Sequence, residues 1–359
     1  MTLAVEIIVF MLITAILTGA VIIFNRILSP SGNVKIRINS GEKELTVKAG
    51  SNLLSALLEN SIYIPSGCGG KGTCGLCRIT VTENNAGALP LECSFINSQD
   101  LKKGVRLACQ VKLLDDLGVS ISADYLEARL RSAIVIQSTL VSGDIKEIIF
   151  ETQEELVFEC GQYVQIKVPS EDEQLFRAYS LASDPAEQKQ FALNVKLIPG
   201  GIGSTYLHEL KVGDKVEFTG PYGEWKLDLT PETELVLVGG GVGMAPMRSI
   251  ARSVTRCIPG KKVSFFYGAC TMDDLLFRND FEKLDLDNSN FTYFWALSSD
   301  TNECTERMGF IHEFLKKELE PPIKDRQAFL CGPPPMIDAV MEVLFDKGFE
   351  ETEIFYDKF

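Results

Sequence analysis

The sequence predicts a multidomain chain with one N-terminal transmembrane helix, a β-grasp domain built around a cysteine loop, an antiparallel β-barrel and a doubly wound α/β domain. Three observations carry this expectation. An unbroken apolar run fills residues 7–24, and a glycine-rich loop with three cysteines follows at residues 68–77. Beyond residue 133 the text turns into closely spaced strands, and beyond residue 235 into strands alternating with helical patterns. At 359 residues the chain also exceeds what a single core ordinarily holds. The expected boundaries are 3–24, 33–124, 130–228 and 229–359.

The net charge of -14, with no basic block to offset phosphate repulsion, argues against nucleic acid as a partner. It suits solubility and a basic docking partner. Ten cysteines would normally raise disulfides, but four belong to one loop system and the others, Cys93, Cys160, Cys257, Cys270, Cys304 and Cys331, follow no spacing rule. That pattern fits a reducing compartment. The two histidines, His208 and His312, stand far apart, which gives bis-His haem and Rieske ligation little support.

The apolar run IIVFMLITAILTGAVIIF has about 18 residues and rises roughly 27 Å as a helix, close to the thickness of a bilayer's hydrocarbon core. Glu6 precedes it and Asn25-Arg26 follow, unlike the flanks of a cleaved signal peptide. A retained anchor is therefore expected, with Glu6 reaching the headgroups. Arg26, Lys35 and Arg37 follow the run while no Lys or Arg precedes it. The positive-inside rule then puts the bulk of the chain on the cytoplasmic side of a cell membrane.

After the linker at residues 29–32, the pattern Val34-Lys-Ile-Arg-Ile38 alternates like a half-buried strand, and Glu44-Leu-Thr-Val-Lys48 answers it across a turn at Gly41. Ser51-Asn52 caps a short helix that leads into Cys68-Gly-Gly-Lys-Gly-Thr-Cys74-Gly-Leu-Cys77. Glycines let this backbone wrap closely around something held by sulfur, with peptide N–H groups pointing inward. With Cys109 as the fourth thiolate, the arrangement points to a 2Fe-2S cluster. Zinc is the rival metal, but it favours two close Cys pairs, and only Cys74 and Cys77 form one. Cys93 matches no ligand spacing and is expected to be a buried structural thiol.

Six strand patterns between residues 133 and 219 suggest the small antiparallel barrel. On one of them, Arg177-Ala-Tyr179-Ser180 offers a cation for a pyrophosphate, a ring for a flat heterocycle and a hydroxyl for a ring nitrogen. A period of two puts Arg177 and Tyr179 on the same face. Gly200-Gly-Ile-Gly203-Ser204-Thr205 is a glycine turn opening a helix, where N–H groups suit a phosphate. Each signal alone also fits a solvated charge and an ordinary turn.

Leu235-Val-Leu-Val238 reads as a buried parallel strand running into Gly239-Gly240-Gly241-Val-Gly243-Met244-Ala-Pro246, where a helix begins. This is a strand-to-helix phosphate turn, although it lacks the strict G-x-G-x-x-G spacing. Residues 262–267 and 292–297 are further strands, and 327–330 runs into Cys331-Gly332-Pro333-Pro-Pro-Met336. In doubly wound sheets ligands bind beyond the carboxyl ends of the strands, where both turns fall. After the second strand, Asp273 and Asp274 offer acceptors for ribose hydroxyls and repel a 2′-phosphate, which favours a nucleotide without that phosphate. Arg278 is the dissenting residue nearby.

The Arg177–Ser180 motif, the Gly239 turn and the Cys331 turn, in this order, resemble the ferredoxin-NADP reductase superfamily. With the apolar run and the C-x5-C-x2-C loop in front, nearly the whole chain resembles the family of F subunits of sodium-translocating NADH:quinone oxidoreductases. The resemblance implies electron flow from NADH to FAD, to the 2Fe-2S cluster, and onward to other subunits of a membrane redox complex, with quinone as the ultimate acceptor. It implies that Arg177, Tyr179 and Ser180 hold FAD, that Gly203, Ser204 and Thr205 meet its phosphates, and that the turn 239–243 holds the NADH pyrophosphate. It also implies that Cys331 lies beside the nicotinamide and that the terminal Phe359 covers the flavin ring.

A hydride carries two electrons and a 2Fe-2S cluster accepts one, so a flavin between them completes the path. Family members carry a long insertion before the Arg-x-Tyr-Ser strand, where this chain has only residues 169–176. A reductase component of a multicomponent oxygenase shares the three redox modules but is soluble. A membrane-tethered redox sensor would need an output domain, which no segment here resembles.

Overall fold

Between Glu6 and Asn25, helix α1 (Thr2–Leu28) carries apolar residues around its whole circumference, so nothing in that stretch selects one buried face. The computed structural model describes residues 2–28, 30, 32–170, 174–223, 225–299, 307–320 and 325–358, with α1 side chains described for 5–21. Phe359, Cys304, Ser29, Ser31 and residues 171–173 of the short connection lie outside them. The described α1 side chains are exposed apart from the half-buried Gly19, including Phe10, Ile16 and Leu17. The expected transmembrane helix is not shown by the structure: among the described residues no helix is long and apolar enough to cross a membrane.

The chain divides into two units, Met1–Ile64 with Gly70–Glu127, and Pro65–Gly69 with Ala128–Phe359. In the first, β1 (Asn33–Ile38) and β2 (Lys43–Lys48) pair antiparallel with Val34 opposite Val47. Val34, Ile36 and Ile38 point inward as their alternation requires. Helix α2 (Leu53–Glu59) starts where the Asn52 side chain accepts a hydrogen bond from the Ser55 amide at 2.8 Å. After the cysteine loop come β3 (Arg78–Glu83), α3 (Ser98–Lys102), β4 (Val105–Leu107), β5 (Leu117–Ser120) and α4 (Ala123–Glu127). The sheet order is β2-β1-β5-β3-β4, with β5 parallel to β1.

Cys93 is exposed, contrary to the expectation of a buried thiol. It lies in a tight 3-10 turn where the inward position goes to its neighbour Glu92, which is fully buried. Arg106 donates to both Glu92 carboxylate oxygens, and the amides of Leu89 and Leu107 donate to the same group. These bonds hold the Glu92 carboxyl below its ordinary range against the opposing effect of burial.

In the second unit, β6 (Arg131–Ser142), β7 (Ile145–Thr152), β8 (Tyr163–Val168), β9 (Leu175–Ser180), β10 (Gln190–Lys196) and β11 (Lys215–Tyr222) form a six-stranded antiparallel sheet. Its order is β10-β7-β6-β11-β8-β9, and Leu181, just past β9, bridges to Leu193 of β10, so the two edges meet as in a barrel. In its centre Phe150 stacks on Phe191 with ring centroids 5.0 Å apart, and Phe218 packs tilted against Phe191 at 5.1 Å. Helix α5 (Ile202–Glu209) opens at the glycine turn before it.

The rest of this unit is β12 (Glu234–Gly240), α6 (Met244–Cys257), β13 (Val263–Ala269), α7 (Arg278–Asp287), β14 (Phe291–Leu297), α8 (Ile311–Glu318), β15 (Arg326–Gly332), α9 (Pro334–Asp346) and β16 (Ile354–Lys358). All five strands are parallel in the order β14-β13-β12-β15-β16. Separate apolar clusters cover the two faces of the sheet, as a parallel sheet requires. Sequence patterning identified the first four strands and missed β16.

Candidate functional site

Within the first unit the fold brings Cys74, Cys77 and Cys109 together. Cys77 and Cys109 are buried and Cys74 is half-buried. The Cys77 thiol is raised far above its ordinary value, first by its hydrogen bond with Cys109 and then by burial. Such a crowded thiol set is what a metal would convert to thiolates. Gln110 donates to the Cys109 sulfur at 3.3 Å, a contact that the sequence pattern did not single out. Gly70, Gly72 and Gly75 have positive φ, and at Gly75 a Cβ would meet the Phe95 ring at 2.8 Å. The loop is thus shaped for glycine, and its all-sulfur donors fit a 2Fe-2S cluster better than oxygen-seeking cations. Among the described residues no group of three or more His, Cys, Asp or Glu closes around a single metal ion, whereas a 2Fe-2S cluster spreads its four thiolates over two irons.

Cys68 lies in the segment Pro65–Gly69 of the second unit. There the Ser66 amide donates to Gln165 Oε1 on β8 at 2.7 Å. A Cβ at Gly69 would stand 2.0 Å from Arg177 Nη1. This segment therefore rests directly on the strand that carries the Arg-x-Tyr-Ser motif.

Arg177 and Tyr179 share one face of β9, opposite Ile166 and Val164 of β8. Gly203 completes a three-residue junction, since a Cβ there would meet Arg177 Cγ at 2.7 Å and the Tyr179 hydroxyl at 2.8 Å. Burial pushes the Tyr179 phenol up to about 12 despite the nearby Arg177 charge, so the ring stays neutral. Ser180 is half-buried at the end of the strand. The Ser204 hydroxyl bonds within its own turn, with Ile198 and Gly201, whereas Thr205 is exposed. The Thr205 amide closes the first helical bond, to Gly201, which leaves the amides of 202–204 as the open donors of α5.

The two turns of the α/β domain pack against each other. Gly239 pairs with Cys331 across β12 and β15, and a Cβ at Gly243 would stand 2.0 Å from the Cys331 carbonyl oxygen. Gly240 and Gly332 both abut Met336, at 2.6 Å for either Cβ. Gly241 has φ +56° and open space around it. The side chains of Met244 and Pro246 are buried, so those positions can meet a ligand only through their backbone. Pro333 is exposed just before α9. Cys331 is 3% exposed, and burial followed by the nearby Asp357 carboxylate raises its thiol well above the usual value. It is a neutral, apolar sulfur at working pH. Asp357, unremarked in the sequence, lies opposite it on β16, its carboxyl pushed up to about 6 by burial.

Asp274 departs from the simple expectation of a ribose acceptor. One of its carboxylate oxygens takes the Thr271 amide and hydroxyl in a capping box, and the other accepts from Ser142 at 3.3 Å. Asp273 beside it is exposed. Tyr267 donates to the carbonyls of Gly241 and Asp274, tying the glycine turn to the next loop from beneath. Periodicity gave no sign of that role, because an aromatic in a buried strand reads as core.

Residues 36–114 match the 2Fe-2S iron-sulfur cluster binding domain family, 132–227 the oxidoreductase FAD-binding domain family, and 237–342 the oxidoreductase NAD-binding domain family. Fold and loops together define an iron–sulfur flavoprotein reductase that moves electrons from a nicotinamide nucleotide through FAD to a 2Fe-2S cluster. Its full-length relatives include the F subunit of the Na(+)-translocating NADH-quinone reductase of Klebsiella pneumoniae, 35% identical over 98% of both chains. The F subunit of the Haemophilus influenzae enzyme is 35% identical over 99% of this chain and 98% of its own. The chain belongs to this family of F subunits.

The Klebsiella alignment runs over 400 positions, more than the chain's own 359 residues, as insertions in the relative require. Among solved structures, the Amycolatopsis cytochrome P450 reductase GcoB covers 91% of this chain and 98% of its own, with 29% identity and a TM-score of 0.70. The ferredoxin reductase of carbazole 1,9a-dioxygenase covers the same shares, with 27% identity and a TM-score of 0.68.

Proposed function

We propose that the chain is the NADH-oxidising subunit of a membrane redox complex, anchored by α1 with its redox domains on the cytoplasmic side, and that its electrons ultimately reach quinone. One observation carries this reading over an oxygenase reductase. The F-subunit relatives match end to end, whereas the solved oxygenase reductases leave unmatched a share about the size of α1 and its linker. A helix with an apolar stretch at residues 7–24 and exposed Phe10, Ile16 and Leu17 needs a lipid or protein environment to cover it.

FAD held here would supply the chemistry that links two-electron oxidation of NADH to one-electron transfer to a 2Fe-2S cluster. In this reading Cys68, Cys74, Cys77 and Cys109 hold the two irons. Arg177 pairs with the FAD pyrophosphate, Tyr179 stacks on the ring system, Ser180 bonds to the flavin ring, and the amides of 202–204 take phosphate. The turn from Gly239 to Gly243 receives the NADH pyrophosphate on the N-terminus of α6. Cys331 offers an uncharged surface to the nicotinamide and keeps water from it. Exposed Asp273 disfavours a 2′-phosphate, so NADH is preferred to NADPH.

Purification from native membranes tests the proposal. The expected result is co-purification with other membrane subunits and NADH-driven quinone reduction, at least tenfold faster than with NADPH on the scale of a single repelled charge. Recovery from the soluble fraction with an oxygenase as electron acceptor would instead support the second reading, which the solved reductases favour.

A further inference from the structure

Helix α6 carries arginines at every fourth position, and all three point at the flavin barrel. Arg248 Nη1 donates to Glu147 of β7 at 2.5 Å, Arg252 Nη2 to Glu187 at 3.3 Å, and Arg256 to both carboxylate oxygens of Asp184 at 2.7 and 2.8 Å. The spacing i, i+4, i+8 puts them on one helical stripe. The rungs differ in depth. Arg248 and Glu147 have side chains only 11% and 10% exposed, whereas Arg252 and Glu187 stand in solvent and contribute little. Asp184 is buried under a half-exposed Arg256, whose bonds lower its carboxyl against the effect of burial.

Between the rungs the surfaces meet closely, with Ala245 of α6 packed in one cluster with Ala182 and Ala192 of the barrel, and Cys160 Sγ donating to the Ser249 carbonyl. Arg248 also reaches into its own domain. Its guanidinium lies 3.7 Å from the Phe277 ring centroid and 3.6 Å from Asp280. Phe277 has φ 53°, a left-handed conformation uncommon for a bulky side chain, at the start of α7. One arginine thus joins the barrel to two elements of the nucleotide domain.

The glycine turn 239–243 feeds straight into α6, and the Arg177–Ser180 strand belongs to the barrel. We propose that Arg248 and Arg256 are positioning residues that key α6 to the barrel, and so hold the nicotinamide-nucleotide turn in register with the flavin strand for hydride transfer, while the more exposed Arg252 adds little. Arg248 is the dominant rung. The inference rests on the reductase reading, which flavin reduction by NADH in the unaltered protein tests separately.

The experiment compares full-length, FAD-loaded Glu147→Gln, Arg248→Met and Arg248→Lys with the unaltered protein in stopped-flow flavin reduction. Because a misplacement of about 1 Å can cost on the order of 100-fold in rate, Glu147→Gln and Arg248→Met should each lower the limiting rate at saturating NADH by about 10- to 100-fold. Flavin content and the NADH KM should stay nearly unchanged, Arg248→Lys should recover part of the rate, and the double variant should be no slower than the slower single. In the flavin-free protein, amide exchange should quicken along α6 and not in β13.

Limiting rates within twofold of the unaltered protein, with α6 loosened, would reduce the ladder to a structural contact. A raised KM in Arg248→Met with Glu147→Gln normal would assign Arg248 to the nucleotide site and overturn the proposal. Should the buried-rung variants lose FAD, Arg256→Gln provides the same comparison at a half-exposed rung. A rate loss of about threefold is expected there, in line with an arginine that is half-exposed over its buried partner, and no loss refutes the ladder.

Discussion

Replacing Gly243 with Ala tests whether the close approach of the two nucleotide turns controls the chemistry. The backbone of Gly243 is helical, with φ -62°, so alanine meets no conformational penalty there. Its Cβ, however, would lie 2.0 Å from the Cys331 carbonyl oxygen and 2.4 Å from the carbonyl carbon, where real contacts stay above 3.0 Å. The obstacle is backbone in a paired strand, so the turns must separate by about 1 Å, a shift on the scale that lowers catalytic rates roughly 100-fold. Overpacking of this kind costs about 1–3 kcal/mol, equivalent to a fall of roughly 3–10 °C in melting temperature.

Gly241→Ala is the control in the same turn. It meets nothing within 4 Å but must hold φ +56°, at a cost of about 1–2 kcal/mol. Both variants should melt lower, and only Gly243→Ala should slow flavin reduction at saturating NADH while FAD stays bound. Equal rates for the two variants would refute the idea that the spacing of the turns matters.

Cys77→Ala should abolish the EPR signal of the reduced cluster while NADH still bleaches the flavin at nearly the original rate. Loss of flavin reduction with FAD in place would contradict the proposed electron order. Removing residues 1–30 should release a protein that keeps FAD and reduces ferricyanide with NADH but no longer supplies its membrane partner efficiently, because tethering raises effective concentration; loss of FAD would count against a pure anchor. Asp357 gives a pH test. Its folded value near 6 lies above the ordinary 3.8, so the protonated carboxyl favours the fold, and this contribution, full below about 3.8, is lost as pH rises through 6. Asp357→Asn should therefore raise the melting temperature at pH 8 more than at pH 5, and an equal shift at both would refute the assignment.

The parts of the fold that were legible in the sequence are those whose cause is local. The cysteine spacing, the glycine turns, the Asn52 cap and the alternation of Val34, Ile36 and Ile38 each report their own backbone within a few residues. Strands β5 and β16 escaped because they are short and owe their existence to partners far away in sequence, Ile36 for Leu117 and Ala328 for Ile354. β5 is a four-residue central strand and β16 a five-residue, half-buried edge, and strands this short carry little periodic signal.

The site divides along the same line. A glycine motif specifies what the backbone does, so reading it through to Met244 and Pro246 reached side chains that belong to the core. The charge of Asp274 suggests a ribose acceptor, but Thr271, three residues away, donates its amide and hydroxyl to that carboxylate in a capping box that local spacing alone does not announce. The three arginines of α6 show the limit most clearly. Their fourfold spacing is visible in the text, yet next to a phosphate turn it suits nucleotide binding as well as domain docking. Only the positions of Glu147, Glu187 and Asp184, which lie 65 to 101 residues earlier in the chain, decide between the two.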